Sequence, residues 1–258
     1  MTNSKTLSKE RYTQFAEGYI TSTTHAHGAE LDRLVEVAQP QAGWVVLDIA
    51  TGGGHTALKF APYVQNVVAT DLTARMLEKA QVFLIEQKVT NVSFRVADAE
   101  DLPFADGQFD LVTCRIAPHH FLDAAQFVRE SARVLKAGGV LLVQDHLLSE
   151  DEAVAQVADS FEKLRDPSHN HAFCEAAWRA MFAAAGLSVE YTEQLVKRHD
   201  FIDWAQRQGC TPQTITQLEA LVVASSEAAK AWMQPLNWGT PQASFMNHHL
   251  IIAGHKKA

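Results

Sequence analysis

An α/β fold, a parallel sheet doubly wound by helices, is what these 258 residues predict, on three observations. Between Trp44 and His146, short apolar runs alternate with amphipathic stretches. The apolar runs are continuous, as strands buried on both faces require. Glycine or proline marks the junctions at 52–54, 62 and 138–139.

Each element follows in order. Trp44–Ala50 reads as a strand ending in Gly52-Gly53-Gly54, and a helix over His55–Ala61 is closed by Pro62. Val67–Asp71 is the second strand, with Thr73 placed to cap the next helix. That helix carries Met76, Leu77, Ala80, Phe83 and Leu84 at the spacing of a face packed on a sheet. Val92–Val96 and Phe109–Cys114 are the third and fourth strands. Phe127, Val128, Ser131, Val134 and Leu135 line one helix face, and Gly138-Gly139 turns the chain into a fifth strand, Val140–Val143. Strands alternating with helices in this way favour a parallel sheet. Beyond His146 the rhythm changes: 151–183 reads as helix and Leu187–Val196 as a strand. Phe201–Trp232 is mainly helical, interrupted around Gly209 and Pro212, and Phe245–Ala253 is a last strand. A helical insertion of about fifty residues therefore separates two late strands. No internal repeat or low-complexity linker interrupts the chain.

Composition narrows the function classes. Acidic residues outnumber Lys and Arg by 30 to 22, and a net charge of −8 disfavours sequence-independent nucleic-acid binding. No apolar stretch is long enough to span a bilayer, and the N-terminus lacks the apolar core of a secretion signal. Cys114, Cys174 and Cys210 are odd in number and widely spaced, which suits a reducing cytoplasm. The expected location is cytoplasmic.

The chemistry-bearing residues stand at strand ends, where open α/β sheets bind ligands. Asp48-Ile-Ala-Thr-Gly-Gly-Gly-His55 supplies a turn in which backbone and ligand can approach closely. Asp71 ends the second strand, where a carboxylate can accept from a ribose diol. Asp98-Ala99 follows the third strand, where a carboxylate can accept from an adenine amine and a backbone N–H can donate to the ring. Taken singly, these are also an ordinary glycine turn, a helix N-terminal charge and a turn residue. Taken together, acids at 48, 71 and 98 give one per βα unit, each beside a strand end.

The set resembles the class I S-adenosylmethionine-dependent methyltransferases over roughly residues 8–253. Asp48-x-Ala50-x-Gly52-x-Gly54 is similar to their D-x-G-x-G-x-G loop, with alanine for the first glycine. Asp71 matches their ribose-binding acid, Asp98-Ala99 their adenine-binding pair, and Arg133–Gly139 the turn before their fifth strand. The subgroup is that similar to ubiquinone/menaquinone-biosynthesis C-methyltransferases, sharing Ala50–His55, Thr113–Phe121 and Arg165–His169. The Asn-Asp-x-Met-Ser motif of the quinone enzymes is absent, so their substrate is not carried over.

The resemblance implies a Rossmann-like doubly wound seven-stranded sheet in the order 3-2-1-4-5-7-6, strand seven antiparallel, with a helical cap insertion. It implies one methyltransferase domain over 1–258. An N-terminal helical segment (1–43) folds over the cofactor, 44–146 form the cofactor-binding core, and 147–258 complete the sheet with a cap at about 200–240. S-adenosyl-L-methionine, leaving as S-adenosyl-L-homocysteine, is the implied cofactor. Its expected contacts are Asp48, Ala50, Thr51, Gly52, Gly53, Gly54, Asp71, Leu72, Asp98, Ala99 and Arg115, with Tyr19 from the N-terminal segment. Asp48 is expected near the methionine ammonium.

His119 and His120 follow the fourth strand and are the candidates to orient or deprotonate an acceptor. The second of them can instead cap a helix beginning near Leu122. Eight of the twelve histidines fall in pairs, at 25/27, 119/120, 169/171 and 248/249, but none of these pairs has the i, i+4 spacing of zinc enzymes, and no metal is expected. Arg165–His169 reads equally as a substrate contact or a turn. The expected activity is methyl transfer to a small-molecule acceptor, with carbon or oxygen favoured as the methylated atom. The competing readings are a non-catalytic S-adenosylmethionine-binding or sensing protein and an NAD(P)-dependent reductase. The latter needs a Tyr-x-x-x-Lys pair, and the four tyrosines are followed at that spacing by Ala16, Thr23, Val67 and Leu195.

Overall fold

The computed structural model describes Lys5 and residues 29–257. Helix α1 (Ala29–Ala38) precedes β1 (Val45–Ile49), α2 (His55–Phe60), β2 (Asn66–Asp71), α3 (Ala74–Glu86), β3 (Val92–Val96) and β4 (Phe109–Arg115). Then come α4 (Ala124–Val134), β5 (Leu135–His146), α5 (Glu152–Arg165), α6 (Glu175–Ala184) and β6 (Leu187–Asp200). Three short helices, α7 (Phe201–Gln206), α8 (Pro212–Ala224) and α9 (Glu227–Met233), lead to β7 (Ser244–Lys256). The seven strands form one sheet in the order β3-β2-β1-β4-β5-β7-β6. β1 to β5 pair parallel, while β7 runs antiparallel to both β5 and β6. The strand order reverses between β1 and β4, and there the crevice opens.

Continuous apolar strands bury both faces. Val46, Val67, Ala69, Leu111 and Leu142 pack with Leu34, Phe60 and Leu84 of α1, α2 and α3 on one side. Leu47, Ile49, Val112, Cys114, Leu141 and Val143 pack with Phe127, Val128, Trp178 and Phe182 of α4 and α6 on the other. The cap has its own core: Phe161, Phe201, Trp204, Leu218, Val222, Met233 and Phe245.

Several local expectations change. The 151–183 stretch is two helices, because Pro167 breaks it and Ser168 donates through N–H and Oγ to Asp166 Oδ1 at 2.9 and 2.6 Å. β5 begins at Leu135, directly after α4. A register shift opposite Phe109 and Leu111, with Gly138 at φ 75°, absorbs the extra residues that read as a turn. Thr73 makes no side-chain cap; its own N–H instead donates to Asp71 Oδ1 at 2.9 Å. Asp123, not His120, caps α4 by accepting from the Gln126 N–H at 2.8 Å.

The late strands are longer than their apolar patterns suggest. β6 and β7 pair from Leu187–Lys256 to Asp200–Ser244, while the β5–β7 ladder stops at His146–His249. Residues 244–248 and 196–200 thus continue as a two-stranded ribbon that carries the cap. Among the described residues, no helix is long and apolar enough to cross a membrane.

Candidate active site

Two cavities meet beyond the carboxyl ends of β1 and β4. The first, about 140 Å³, is lined by Ala50, Thr51, Gly52 and Gly53 of the loop after β1, by Asp71 and Leu72 after β2, and by Asp98 and Ala99 after β3. Arg115, Ile116 and His120 close it from the β4 side. Ala50 (φ 52°) and Ile116 (φ 51°), the residues that leave two neighbouring strands, both adopt the left-handed conformation. For a branched side chain this is an outlier that stores about 1–3 kcal/mol. The Ile116 N–H, donating to the Gln144 carbonyl at 2.7 Å, helps to hold it.

Asp71 stands on the cavity wall. Its Oδ2 accepts from the Gly52 N–H at 3.2 Å and its Oδ1 from the Thr73 N–H at 2.9 Å. The Thr73 hydroxyl and the Leu72 N–H also act on this carboxylate, so a diol at the wall would share its oxygens with them. Burial pushes its carboxyl up to about 6, against the hydrogen bonds from Thr73 and Gly52. Asp98 Oδ1 accepts from the Glu100 N–H at 3.0 Å, while its Oδ2 is paired with Lys5 Nζ at 2.8 Å. Arg115 reaches Thr56 Oγ1 through Nε at 3.3 Å, and burial lowers its guanidinium to about 10.

Two expected contacts stand off the wall. Asp48 is buried beneath the loop, where Oδ2 accepts from Thr51 Oγ1 at 2.6 Å and Oδ1 from Thr113 Oγ1 at 2.8 Å. It ties the loop to β4 instead of facing the cavity, and burial raises its carboxyl to about 6. Gly54 (φ 85°) faces α3: a Cβ there would stand 3.3 Å from both Ala80 Cβ and Leu84 Cδ1, so this glycine serves helix packing. Tyr19 lies outside the described residues.

The second cavity, about 100 Å³, shares Ile116 and His120 with the first. His120 Nδ1 lies 3.0 Å from the Ser168 carbonyl, which only accepts; Nδ1 therefore carries the proton and Nε2 is the basic nitrogen. His119 lines the second cavity alone. Its Nδ1 lies 2.6 Å from Asp145 Oδ1, and its backbone N–H donates to Asp145 Oδ2 at 2.8 Å. Burial lowers both imidazoles below their ordinary range, with neighbouring histidines adding to the effect on His119 and Asp166 opposing it on His120. The lowering favours the neutral ring, the form a proton acceptor requires.

Apart from Trp204, the remaining walls are polar: His146, Glu162, Arg165, Asp166 and His169 come from β5, α5 and the turn after it. Lys197, His199, Arg207, Asn247 and His249 come from the ribbon and the cap. Of these, the sequence points only to Arg165–His169, which reads equally as a substrate contact or a turn. Asp145 and His146 at the end of the fifth strand were the available signal for the others. Lys197 and His199 sit past the expected end of their strand, and no spacing pointed to them. Among the described residues, no cluster of three or more His, Cys, Asp or Glu is arranged to hold a metal ion.

The wall of the first cavity fits a nucleoside with an amino-acid tail: a carboxylate at the end of β2, a second carboxylate one strand away, and loop backbone without side chains at Gly52 and Gly53. Comparison with known proteins agrees. Residues 47–143 match the family model described as a methyltransferase domain. The uncharacterized methyltransferase YcgJ of Bacillus subtilis is 38 % identical, covering 100 % of both chains. A crystal structure of the Bacillus subtilis YcgJ protein superposes with TM-score 0.86 at 36 % identity, covering 90 % of this chain and 100 % of that one. The ubiquinone/menaquinone biosynthesis C-methyltransferase of Shewanella frigidimarina is 32 % identical over 61 % of this chain and 72 % of its own length. The glycine loop, the sheet order and this likeness over the full length lead to one conclusion: the chain belongs to the S-adenosylmethionine-dependent methyltransferases.

Proposed function

We propose that the chain methylates a small-molecule acceptor held in the second cavity, at a carbon or oxygen atom. The observation that carries this reading is the junction: the two cavities touch at Ile116 and His120 alone among their lining residues, at the switch point of the sheet. In this reading Asp71 accepts from the ribose hydroxyls of S-adenosylmethionine and Leu72 packs beside it. Asp98 and Ala99 meet the adenine, and Ala50, Thr51, Gly52 and Gly53 face the amino-acid end. Asp48 acts through Thr51, by fixing the loop. The cofactor supplies an already activated methyl group, so the protein's part is alignment and exclusion of water, worth about 7–11 kcal/mol.

His120 Nε2 takes the proton from an acidic O–H or C–H of the acceptor, and Ser168 fixes the ring that does so. His119, oriented by Asp145, packs against His120 with ring centroids 4.1 Å apart and steadies it. The domain divides as the elements do: residues 44–146 hold the cofactor, and the ribbon and cap complete the acceptor chamber.

Methyl transfer from radiolabelled S-adenosylmethionine to a panel of small phenols, enols and carboxylic acids, with mass spectrometry of the product, tests the reading. A product methylated on carbon or oxygen is expected. Methylation of protein or nucleic acid, with none of small molecules, would overturn it.

A further inference from the structure

The second cavity is unusually charged for a space of its size. Three cations line it, Arg165, Lys197 and Arg207, against two carboxylates, Glu162 and Asp166. Both carboxylates are already engaged. Asp166 accepts from Ser168 twice, and Glu162 accepts from Asn247 Nδ2 at 2.8 Å and lies 3.6 Å from Arg165. Lys197 is ion-paired with Glu30, which is not among the lining residues. Arg165 is held in place by stacking on Trp204, 4.1 Å from the ring centroid, and by its Nε donating to the Trp204 carbonyl at 3.0 Å.

Arg207, at the end of α7, differs. Among the described residues it has no carboxylate within ion-pair distance; its charge feels that of Arg165, and less strongly the carboxylates of Asp203 and Asp200. Two arginines lining one small cavity repel each other, and an anion seated between them would relieve that repulsion. His249 lines the same cavity with a buried Nδ1 that has no hydrogen-bond partner among the described residues. Ile116 and His120, which also line this cavity, join it to the first.

We propose that the methyl acceptor is an anion whose carboxylate or phosphate seats between Arg165 and Arg207, with its reacting atom at the His120 junction. The inference rests on the second cavity being the acceptor chamber. It assigns Arg207 and Arg165 as specificity-determining residues and places a cationic amine among the excluded acceptors. The guanidinium forks match either oxyanion in paired hydrogen bonds.

The test uses the full-length protein and three probes in parallel: inorganic phosphate, benzoate and methylammonium. Histidine side-chain 1H–15N resonances report binding. Saturable shifts with phosphate or benzoate are expected, and the arm that binds more tightly tells a phosphorylated acceptor from a carboxylated one. Arg207→Met should weaken that binding about tenfold or more, with Arg207→Lys recovering part of it. Absence of saturable binding in both anion arms, equal binding by Arg207→Met, or saturation by methylammonium overturns the proposal. Calorimetric affinity for S-adenosylhomocysteine is measured on the same preparations. Its retention in the Arg207 variants shows that they are folded. Its absence in the wild-type protein would count against the cofactor reading, whatever the anion result.

Discussion

Replacing Asp71 by Asn probes the cofactor reading at its most exposed point. The side chain keeps its size, so the loop need not collapse, and Oδ1 can still accept from Thr73. The new amide nitrogen faces the Gly52 N–H, a donor against a donor, and offers a ribose hydroxyl no charged acceptor. At least one charge-assisted hydrogen bond to the ligand is lost, worth about 1.5–3 kcal/mol, or roughly ten- to 150-fold in affinity. A second signature separates this loss from general damage. Burial sets the Asp71 carboxyl at about 6, and the ligand's hydroxyls favour its ionised form. Wild-type affinity should therefore be level above about pH 7 and fall about tenfold for each unit below 6, whereas the Asn variant should lose that segment of the profile. Asp48 and Asp145 titrate in the same range, so the difference between the two profiles isolates position 71. Calorimetric titration with S-adenosylhomocysteine from pH 5 to 8 provides the data. A variant within about threefold of wild type at pH 7.5, or an unchanged pH profile, refutes the reasoning.

His120→Asn should reduce turnover by about a hundredfold or more while leaving S-adenosylhomocysteine affinity within a few-fold; equal turnover would return the ring to a packing role. Gly54→Ala combines a left-handed backbone with a Cβ 3.3 Å from Ala80 and Leu84, and should lower stability by about 2 kcal/mol in chemical denaturation. A change within error would mean that α3 yields at no cost. Phe161→Ala removes a ring stacked 4.9 Å from Trp204 at the centre of the cap, and should cost about 3–5 kcal/mol. Hydrogen exchange should then quicken in α7–α9 before it does in β1–β5; uniform quickening would show that cap and core unfold together.

The cofactor half was largely legible because its signals are backbone signals. A parallel strand needs an unbroken apolar run, and a turn facing a ligand needs glycine, so Val45–Ile49 and Gly52-Gly53 declare themselves. Asp71 stood out by position alone. For Asp48, sequence shows that an acid stands in the strand, not that Thr113 of the adjacent strand meets it. The acceptor half was illegible for a related reason. Lys197, Arg207 and His249 come from three elements that touch only after the ribbon forms, and each in isolation reads as a polar residue on an ordinary surface. Pairing across β6 and β7 extended those strands past the end of their apolar patterns, where tertiary contact overrides local preference.

The cap's separate apolar cluster implies different tempos for the two ligands proposed above. Phe161, Trp204 and Phe245 cohere with one another and reach the main sheet chiefly along the β6–β7 ribbon, whereas the loop after β1 is riveted to β4 by Asp48. A unit with its own cohesion can swing or loosen without disturbing its neighbour, at a cost well below that of global unfolding. The acceptor and its methylated product are thus expected to come and go on the rhythm of the cap, while the nucleoside keeps to the slower clock of the sheet.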